Sequence, residues 1–346
     1  MINIAINGFG RIGRLVLKAG INEKDINFVA INDLTDAKSL AQLLKYDSVH
    51  GKFPGSVEAG ERCIIVNGKQ IKIFSEKEPE KLPWKDLNID IVVESSGHFR
   101  TNIGAFKHIK AGAKKVLISA PAKCEEKVCE IGEHSPDVEP VKTIVMGVNE
   151  HEYKGERLVS NGSCTTNCFA LLAKVINDNY GIEGGVMNTI HAYTNDQSII
   201  DAPHKDPRRA KAAALNIIPT STGAAEVIGE VIPQLNGKIT GSAVRVPVAC
   251  GSVVIFVAEL KKENITKEQV NWLFGEVSKY HLKGLLEYSD EPLVSSDIVG
   301  NPHSCIFDSQ LTECVDNRML TVVGWYDNEW GYSNRMVDLI KLMMKL

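Results

Sequence analysis

The sequence predicts an α/β fold with a mostly parallel sheet in its first half. Short apolar segments typical of buried strands recur along that half, and helical segments separate some of them. This alternation favours parallel strands joined by right-handed crossovers. The 346 residues are enough for two domains of ordinary size. We therefore expect one α/β domain and a second domain after it.

The first strand leads into a glycine-rich turn. Residues 2–7 alternate apolar and polar side chains, Gly8-Phe9-Gly10-Arg11-Ile12-Gly13 follows, and a helical segment comes next. Glycines there permit a tight turn, close approach of the backbone to a pyrophosphate, and close packing of helix on strand. A second apolar run ends at Asp33, about 20 residues further on, where a carboxylate binds the adenosine ribose in dinucleotide-binding folds. The pattern indicates a Rossmann domain, and a carboxylate that repels a 2′-phosphate favours NAD over NADP. A simple turn with Asp33 as a loop cap is the alternative.

A hairpin, three more strands and a helix are predicted after this turn. They are a hairpin through Asn67-Gly68 between residues 64–66 and 71–73, strands at 90–94, 115–118 and 144–146, and a helix at 102–113.

Composition and charge argue against several classes of protein. The formal net charge is -4, so the chain has no overall basic field for specific binding of nucleic acid or of an anionic membrane. No stretch approaches the roughly 20 apolar residues that span a bilayer, and the first residues show no basic leader. We therefore expect a cytoplasmic chain whose eight cysteines are mostly small buried residues. No motif predicts a metal site.

A cysteine stands at the predicted start of a helix in the second half. Residues 160–168 are mostly polar, contain Cys164, and precede an apolar helix predicted over 169–176. Free N–H groups at a helix start favour a thiolate, so we expect the pKa of Cys164 to be lowered. A buried structural cysteine is the alternative, although the flanking hydroxyl and amide side chains argue against a dry core.

A nucleophilic thiolate needs a base, and His191 is the candidate. It follows an apolar strand, within Asn188-Thr189-Ile190-His191-Ala192-Tyr193-Thr194. The chain has nine histidines, so position alone does not select this one.

Several long motifs, in order along the chain, resemble the glyceraldehyde-3-phosphate dehydrogenase family. They are Asn7–Arg14, Leu44–Ser48, Ser163–Cys168, His191–Thr194, Ile217–Ala225, Arg245–Pro247 and Trp325–Ser333. The matches run from residue 2 to the C-terminus, and several are specific to that family. The resemblance implies a Rossmann NAD-binding domain followed by an α+β catalytic domain with a mainly antiparallel sheet.

The resemblance implies phosphorylating oxidation of an aldehyde with NAD. In that chemistry Cys164 attacks the aldehyde of D-glyceraldehyde 3-phosphate, and His191 takes the hydroxyl proton. Hydride passes to NAD and leaves a thioester on Cys164. Inorganic phosphate then releases 1,3-bisphosphoglycerate.

The resemblance also implies two anion sites and a set of cofactor contacts. Thr194 and Arg245 hold the phosphate already on the substrate. The attacking phosphate is held by Ser163, Thr165, Thr222 and Gly223, with Arg209 nearby. The implied NAD contacts are Gly8, Gly10, Arg11, Ile12, Gly13, Asp33, Ser96, Gly97 and Asn328.

Domain organisation and assembly are implied in the same way. Residues 1–163 and 329–346 would form a discontinuous NAD-binding domain, because the C-terminal helix, expected to start near Ser333, returns to it. Residues 164–328 would form the catalytic domain. The loop 195–216 resembles one that crosses subunits in the family, which implies a homotetramer. Leu34 and Pro203 match the NAD-specific pattern.

The second half departs from the family pattern near Arg245. Val248 stands in place of a threonine, Cys250 lies where an asparagine-containing turn is usual, and Ile255 replaces an acid. Milder changes are Gly162 for alanine and Ser96 for threonine. These changes bear on the polarity and geometry of the pocket, and so on the identity of the substrate.

Four alternative functions are compatible with parts of this sequence. Erythrose-4-phosphate dehydrogenase shares the cysteine and histidine, although Ala192-Tyr193-Thr194 favours the triose enzyme. Aspartate-semialdehyde dehydrogenase uses similar chemistry, but Thr222-Gly223 and residues 325–333 do not suggest it. A Cys–His hydrolase or acyltransferase would not need the glycine-rich turn. A catalytically silent NAD- or RNA-binding scaffold would not need both Cys164 and His191.

Overall fold

The computed structural model describes residues 1–123 and 138–345, which form two compact units. The first unit contains Met1–Ile144, His151–Gly162 and Ser333–Leu346. The second contains Val145–Glu150 and Ser163–Tyr332. Each unit is built on its own large sheet.

The helices of the described residues are distributed over both units. The α-helices are α1 (Arg11–Gly20), α2 (Ala37–Lys45), α3 (Asn102–Lys110), α4 (Cys164–Tyr180), α5 (Ala224–Val231), α6 (Lys267–Lys279) and α7 (Trp330–Met343). Short 3-10 helices cover Pro79–Lys81, Glu150–Glu152, Pro233–Leu235, Ser295–Ile298 and Ser309–Leu311. In the part of the chain that the structure describes, none of the helices combines the length and apolar character that crossing a membrane requires.

The strands divide between the two units at Ser160. Those of the first unit are β1 (Ile2–Asn7), β2 (Ile26–Asn32), β3 (Tyr46–Asp47), β4 (Gly51–Lys52), β5 (Val57–Ala59), β6 (Cys63–Val66), β7 (Lys69–Phe74), β8 (Ile91–Glu94), β9 (Lys115–Ile118), β10 (Lys142–Thr143) and β11 (Leu158–Ser160). Those of the second are β12 (Ile182–Ala192), β13 (Ile218–Thr220), β14 (Ile239–Val246), β15 (Ser252–Leu260), β16 (Leu286–Ser289), β17 (Cys305–Asp308), β18 (Glu313–Val315) and β19 (Met319–Tyr326).

The first unit contains the predicted parallel sheet. Its strands follow the order β10-β11-β9-β8-β1-β2-β7, all paired in parallel, and β6 and β5 extend it in antiparallel pairing. The carboxyl ends of three strands meet in register, because Asn7 of β1 lies opposite both Asn32 of β2 and Glu94 of β8. The strand order reverses at β1, and ligands bind at such reversals in α/β sheets. The glycine-rich turn after β1 therefore lies at this switch point.

The predicted hairpin is confirmed between β6 and β7. Val66 pairs with Lys69, so the connection has only two residues, Asn67 and Gly68. Both have positive φ, 51° and 76°, which is the geometry of a type I′ turn.

The strand predicted at residues 144–146 is wrong. The strand β10 ends at Thr143, and the chain turns directly after it. The carbonyl of Val145 accepts hydrogen bonds from the backbone N–H groups of Val148 and Asn149, which closes a turn in place of a ladder. Ile144 still donates its backbone N–H to the carbonyl of Ser160, and the apolar run is misleading because it continues into a turn whose first residue, Val145, is also buried.

The helix predicted at residues 102–113 is confirmed but shorter. It ends at Lys110, and Gly112 adopts φ +103°, a conformation that terminates helices. A Cβ at Gly112 would lie 2.4 Å from Cβ of Lys85, so glycine is required there for packing as well.

The second unit has the mainly antiparallel sheet that the fold class predicted. Its order is β13-β14-β12-β15-β19-β17-β16, with β18 paired to β19. Two pairs are parallel, β12 with β14 and β16 with β17. Helix α4 is buried against this sheet, where the rings of Phe169 and Phe256 meet edge to face at 4.9 Å. The packing of α4 on this sheet fixes the positions of the start of α4 and the ends of β12 and β14, where the candidate site residues lie.

The C-terminal helix α7 begins three residues before the predicted start at Ser333. Its last part belongs to the first unit. There the carbonyl of Met343 accepts hydrogen bonds from Lys115 Nζ and from the hydroxyl of Tyr153. These bonds tie the end of the chain to β9.

Candidate active site

Cys164 is the first residue of helix α4, as the sequence predicted. Ser163 is the N-cap, and its hydroxyl accepts a hydrogen bond from the backbone N–H of Thr166 at 3.0 Å. A polar cap followed by an apolar run starts the helix at that residue. The thiol is partly buried and lies in the positive field of the first helical turn.

The structure brings His191 to Cys164. His191 lies near the end of β12, and its Nε2 atom is 3.4 Å from the sulfur of Cys164. The imidazole is 4% exposed. The two candidates for nucleophile and base are therefore within hydrogen-bonding reach, although 27 positions separate them in the chain.

The predicted lowering of the Cys164 pKa is wrong for this structure. Burial raises the pKa of the thiol, and the charge of Arg245 and the hydrogen bonds of Thr165 only partly oppose that effect. Burial, with the charge of Arg245, lowers the pKa of His191 to about 3. The pair therefore consists of a neutral thiol and a neutral imidazole at physiological pH, and the histidine is in the form that accepts a proton.

Arg245 lies beside the histidine because β12 and β14 are parallel and in register, with His191 opposite Arg245. Its Nη1 atom is 2.8 Å from His191 Nδ1 and also donates to the carbonyl of Ala192 at 2.9 Å. The hydroxyl of Thr194 is 3.5 Å from the same nitrogen. Among the described atoms, Arg245 Nε is buried and has no hydrogen-bond partner. A buried guanidinium N–H without an acceptor is suited to an anionic ligand.

Arg209 lies near the start of α5 and is ion-paired with Asp196 and Asp206. Its Nε donates to Thr220 Oγ1 at 3.0 Å, and Nη2 donates to the carbonyl of Ser221 at 3.2 Å. Its charge helps to lower the pKa of His191, so it lies close enough to influence the site. Thr222 and Gly223 come next in the chain, at the N-terminus of α5.

The structure already engages two of the predicted phosphate ligands in other hydrogen bonds. The hydroxyl of Thr165 is 2.9 Å from that of Tyr326, and Ser163 caps its helix. The cap uses the oxygen of Ser163 as acceptor, so its proton is left for Thr166 Oγ1, 2.8 Å away, or for an anion.

Tyr326 is a site residue that the sequence analysis did not single out. Its hydroxyl lies 2.9 Å from both Thr165 Oγ1 and Thr189 Oγ1, and its ring meets that of His191 edge to face at 5.9 Å. It therefore connects α4, β12 and β19 behind the reactive pair. The run Trp325–Ser333 contained the signal, since Tyr326 lies two residues before Asn328.

Asn328 has its side-chain amide fixed by hydrogen bonds. The Oδ1 atom accepts from the backbone N–H of Gly251 at 3.2 Å and from the hydroxyl of Ser252 at 3.0 Å. The same hydroxyl accepts from the backbone N–H of Ala192 at 3.1 Å, beside His191. Ser252, which the sequence did not indicate, therefore joins the end of β12 to the amide whose NH2 group is a donor.

The three glycines of the turn after β1 have the geometry expected of a dinucleotide-binding turn. Gly8 has φ +90°, and a Cβ there would lie 2.5 Å from Cα of Ser96. A Cβ on Gly13 would lie 2.3 Å from the carbonyl oxygen of Gly8. Gly10 has open space around it and is the N-cap of α1. The turn thus offers free space and a helix start, which fit a pyrophosphate.

Asp33 lies beside this turn, at the end of β2. Its carboxylate accepts hydrogen bonds from the backbone N–H of Phe9 at 2.7 Å and of Thr35 at 2.9 Å. It therefore both orders the turn and presents a negative charge. Arg11, at the start of α1, pairs with Asp47 at 2.9 Å, and Ile12 follows it in the helix.

Ser96 and Gly97 follow β8 on the other side of the turn. The backbone N–H of Ser96 donates to Glu94 Oε1 at 2.8 Å, and Gly97 has φ +78°. The predicted residues of the nucleotide site within the first unit therefore lie at the ends of β1, β2 and β8.

The residues Val248, Cys250 and Ile255, which depart from the family pattern, have different surroundings in the structure. Cys250 is buried, and its thiol donates to Asp327 Oδ1 at 3.1 Å. Burial and the charge of Asp327 raise the pKa of this thiol. Ile255 is part of β15, opposite Asn188, and Val248 accepts a backbone hydrogen bond from Tyr193. Arg245 keeps its contacts with His191 despite these changes.

Comparison with known proteins is consistent along the whole chain. A family model for the NAD binding domain of glyceraldehyde 3-phosphate dehydrogenase matches residues 2–102, and a model for its C-terminal domain matches residues 163–328. Glyceraldehyde-3-phosphate dehydrogenase 1 of Bacillus cereus is 51% identical over 345 residues, which cover 99% of this chain and 98% of that one. The Borreliella burgdorferi enzyme is 50% identical over 351 residues, covering 99% and 100%. Glyceraldehyde-3-phosphate dehydrogenase 2 of Bacillus subtilis is 48% identical over 342 residues, covering 98% and 96%. The chain belongs to the glyceraldehyde-3-phosphate dehydrogenase family.

Proposed function

We propose that this chain oxidises D-glyceraldehyde 3-phosphate to 1,3-bisphosphoglycerate with NAD and inorganic phosphate, through a thioester on Cys164 with His191 as base. The observation that carries the residue assignment is the 3.4 Å approach of Cys164 Sγ to His191 Nε2, with Arg245 on the other ring nitrogen. Full-length identity of about half to glyceraldehyde-3-phosphate dehydrogenases supports the reaction, and it does not favour the tetrose-phosphate alternative.

The proposed steps follow from the protonation states of the pair. Because His191 is neutral, it takes the thiol proton as the sulfur of Cys164 adds to the aldehyde carbon. The proton passes to the new hydroxyl, and His191 removes it again as hydride departs, which leaves a thioester on Cys164. NAD, when bound, supplies the hydride acceptor. A phosphate oxygen then attacks the thioester carbon, and the sulfur of Cys164 leaves and regains its proton from His191.

Two anion sites serve the two phosphate groups. The half-buried Arg245, whose Nε is fully buried, holds the phosphate carried by the substrate, with Thr194 beside it. The attacking phosphate is held by groups at two helix starts and by a nearby cation: Ser163, Thr165, Thr222, Gly223 and Arg209.

The cofactor contacts are proposed at the ends of β1, β2 and β8 and at Asn328. The pyrophosphate faces the turn and the start of α1, and Asp33 binds the adenosine ribose. Further contacts are Gly8, Gly10, Arg11, Ile12, Gly13, Ser96 and Gly97. Asn328 holds the nicotinamide carboxamide through an amide that Gly251 and Ser252 orient. The charge of Asp33, with Leu34 and Pro203, favours NAD over NADP.

Assembly, location and domain division complete the proposal. The chain forms a homotetramer in which the loop 195–216 crosses between subunits, and it acts in the cytoplasm. Exposed apolar side chains of that loop support a contact, namely Ile199, Ile200 and Leu215. The functional NAD-binding domain comprises residues 1–163 and 329–346, and the catalytic domain comprises residues 164–328.

A phosphate-dependent assay of NAD reduction tests the proposal directly. Triose phosphate and erythrose 4-phosphate are compared side by side, with NAD and with NADP, for the native chain and for Cys164→Ser. We expect phosphate-dependent NADH formation with the triose phosphate, little with NADP, and none from the serine variant. Full NADH formation by Cys164→Ser would overturn the mechanism. A preference for the tetrose would overturn the substrate assignment.

A further inference from the structure

A buried polar chain lies under the ends of β1 and β8, beside the proposed NAD contacts. It consists of Trp84, His108, Glu94 and Asn7, and we refer to these four as the Glu94 chain. All four side chains are at most 2% exposed. A buried carboxylate is costly unless its partners satisfy it, so its presence calls for a physical reason.

The hydrogen bonds from Trp84 through His108 to Glu94 all donate in the same direction, toward the carboxylate. An indole N–H can only donate, so Trp84 Nε1, 3.0 Å from His108 Nδ1, requires that nitrogen to be the acceptor. The other ring nitrogen, Nε2, then carries the proton and donates it to Glu94 Oε2 at 3.1 Å. The tryptophan therefore sets the tautomer of the histidine, and the histidine serves the carboxylate.

Glu94 also accepts hydrogen bonds from residues beside two loops, the one that follows β1 and the one that follows β8. Asn7 Nδ2 donates to Oε2 at 2.6 Å, while the backbone N–H and the hydroxyl of Ser96 both donate to Oε1. With His108 these make four donors to one carboxylate, so both of its oxygens have hydrogen-bond partners. Asn7 immediately precedes Gly8, and Ser96 immediately precedes Gly97.

The loop after β1 and the loop after β8 are in direct contact, which limits the distance between them. A Cβ on Gly8 would lie 2.5 Å from both Cα and N of Ser96, so there is no slack between them. The hydroxyl of Ser95 also donates to the carbonyl of Gly8 at 2.7 Å. Glu94 holds one loop through Asn7 and the other through Ser96, and therefore fixes the distance between two proposed NAD contacts.

We infer that Glu94 is a positioning residue for NAD, and that Trp84 and His108 hold its carboxylate in the orientation that sets the gap between Gly8 and Ser96. The inference rests on the proposed NAD site. It assigns a role in cofactor binding to three buried side chains. Their effect is on cofactor affinity and not on the sulfur chemistry, since Cys164 and His191 belong to the other unit.

A matched pair of substitutions at His108 separates positioning from packing. In His108→Gln, the amide oxygen can accept from Trp84 and the amide nitrogen can donate to Glu94. His108→Leu fills similar space but leaves both partners unsatisfied. Binding of NAD to the full chain is measured by titration, the melting temperature is recorded for each variant, and the alkylation rate of Cys164 by iodoacetamide is followed without NAD.

The inference expects His108→Leu to weaken NAD binding about tenfold or more, and His108→Gln to stay within about threefold of the native chain. The alkylation rate of Cys164 stays unchanged in both. Trp84→Phe is the milder third variant, should the leucine variant fail to fold. It removes the indole donor and part of the buried ring volume, and it keeps the histidine and the carboxylate, so it should weaken NAD binding by a few-fold. Equal NAD binding by all folded variants, whatever their melting temperatures, overturns the inference. So does equal weakening in the glutamine and leucine variants. Failure of the native chain to bind NAD would instead overturn the proposed function.

Discussion

Arg245 Nη1 and the carbonyl oxygen of Ala192 compete for one nitrogen of His191. The arginine nitrogen is 2.8 Å from His191 Nδ1, and the carbonyl is 2.7 Å from it. Nδ1 can accept from Arg245 or donate to Ala192, but it cannot do both. If it donates, the lone pair of Nε2 faces Cys164, and the imidazole can act as base. A phosphate that draws Arg245 to itself therefore favours the tautomer that the reaction needs.

Replacing Arg245 with glutamine should separate phosphate binding from the rest of the reaction. We expect kcat/KM for the triose phosphate to fall about 10- to 100-fold, because a charged hydrogen-bond donor to the phosphate is lost. The rate with unphosphorylated D-glyceraldehyde should change much less. Steady-state assays on both substrates measure this difference. An equal fall in kcat/KM for the two substrates would show that Arg245 acts through His191 and does not bind the substrate phosphate.

The pH dependence of Cys164 alkylation tests the protonation state of the pair. Because burial raises the pKa of the thiol, the ligand-free chain should react with iodoacetamide roughly tenfold faster for each pH unit between about pH 6 and 8. The pKa of His191 is lowered to about 3, so no step from imidazole protonation should occur above about pH 5. His191→Asn should slow the alkylation by loss of the base. A rate that levels off below pH 7 would indicate a thiolate–imidazolium pair and contradict the neutral pair.

Gly8 and Gly10 should respond differently to the same substitution. Gly8→Ala places a Cβ on Ser96 at φ +90°, so we expect it to cost about 2 kcal/mol of unfolding free energy or more. Gly10→Ala meets open space at an extended φ of -71°, so its cost should stay below about 1 kcal/mol. Both should weaken NAD binding, Gly10→Ala about tenfold or more, since its methyl group occupies the space for the pyrophosphate.

Denaturant unfolding and NAD titration of the two glycine variants provide the measurements. Undiminished NAD affinity in Gly10→Ala would contradict the proposal that the pyrophosphate binds at this turn. Native stability in Gly8→Ala would contradict the close contact with Ser96.

Features set by neighbouring residues were predictable from the sequence. The cap at Ser163 and the apolar run after it predicted helix α4, and Asn67-Gly68 predicted the hairpin. The glycine-rich turn and Asp33 were recognisable because strand, turn and acid follow at fixed spacing in one chain segment. In each case the physical cause lies within one short segment of the chain, so the sequence displays it.

Features set by residues far apart in sequence were not predictable. The sign of the Cys164 pKa shift depends on burial by the folded unit, which a helix-start argument does not contain. Tyr326 reaches Thr165 across 161 positions, and only the pairing of strands brings it there. The run 144–146 was misassigned because apolar burial is the same signal in a strand and in a buried turn.

Asp33→Asn should relax the choice of cofactor. Asparagine keeps a side-chain oxygen that can accept from the backbone N–H of Phe9, but it removes the charge that repels a 2′-phosphate. We expect the ratio of kcat/KM for NADP to that for NAD to rise about tenfold or more. Asp33→Ala is the control, because it also loses the bonds to Phe9 and Thr35 and should weaken both cofactors. An unchanged ratio in Asp33→Asn would assign cofactor choice to other residues.

Cys250 should affect stability without affecting which aldehyde is oxidised. Its thiol donates to Asp327, whose buried carboxylate also accepts from the backbone N–H groups of Gly300, Glu329 and Trp330. Cys250→Ser retains a donor to this carboxylate, whereas Cys250→Val removes it and should cost about 1 kcal/mol. Denaturant unfolding measures that difference.

The ratio of kcat/KM for triose phosphate to that for erythrose 4-phosphate should be the same in both Cys250 variants and in the native chain. The reason is that the contacts of Cys250 run to Asp327, while the proposed phosphate ligand Arg245 contacts His191, Ala192 and Thr194. A change of more than about tenfold in that ratio, equivalent to about 1.4 kcal/mol, would show that this departure reshapes the substrate pocket. Asp327 directly precedes Asn328, so loss of the donor should alter the orientation of the Asn328 amide. The KM for NAD should therefore rise before any change in aldehyde preference.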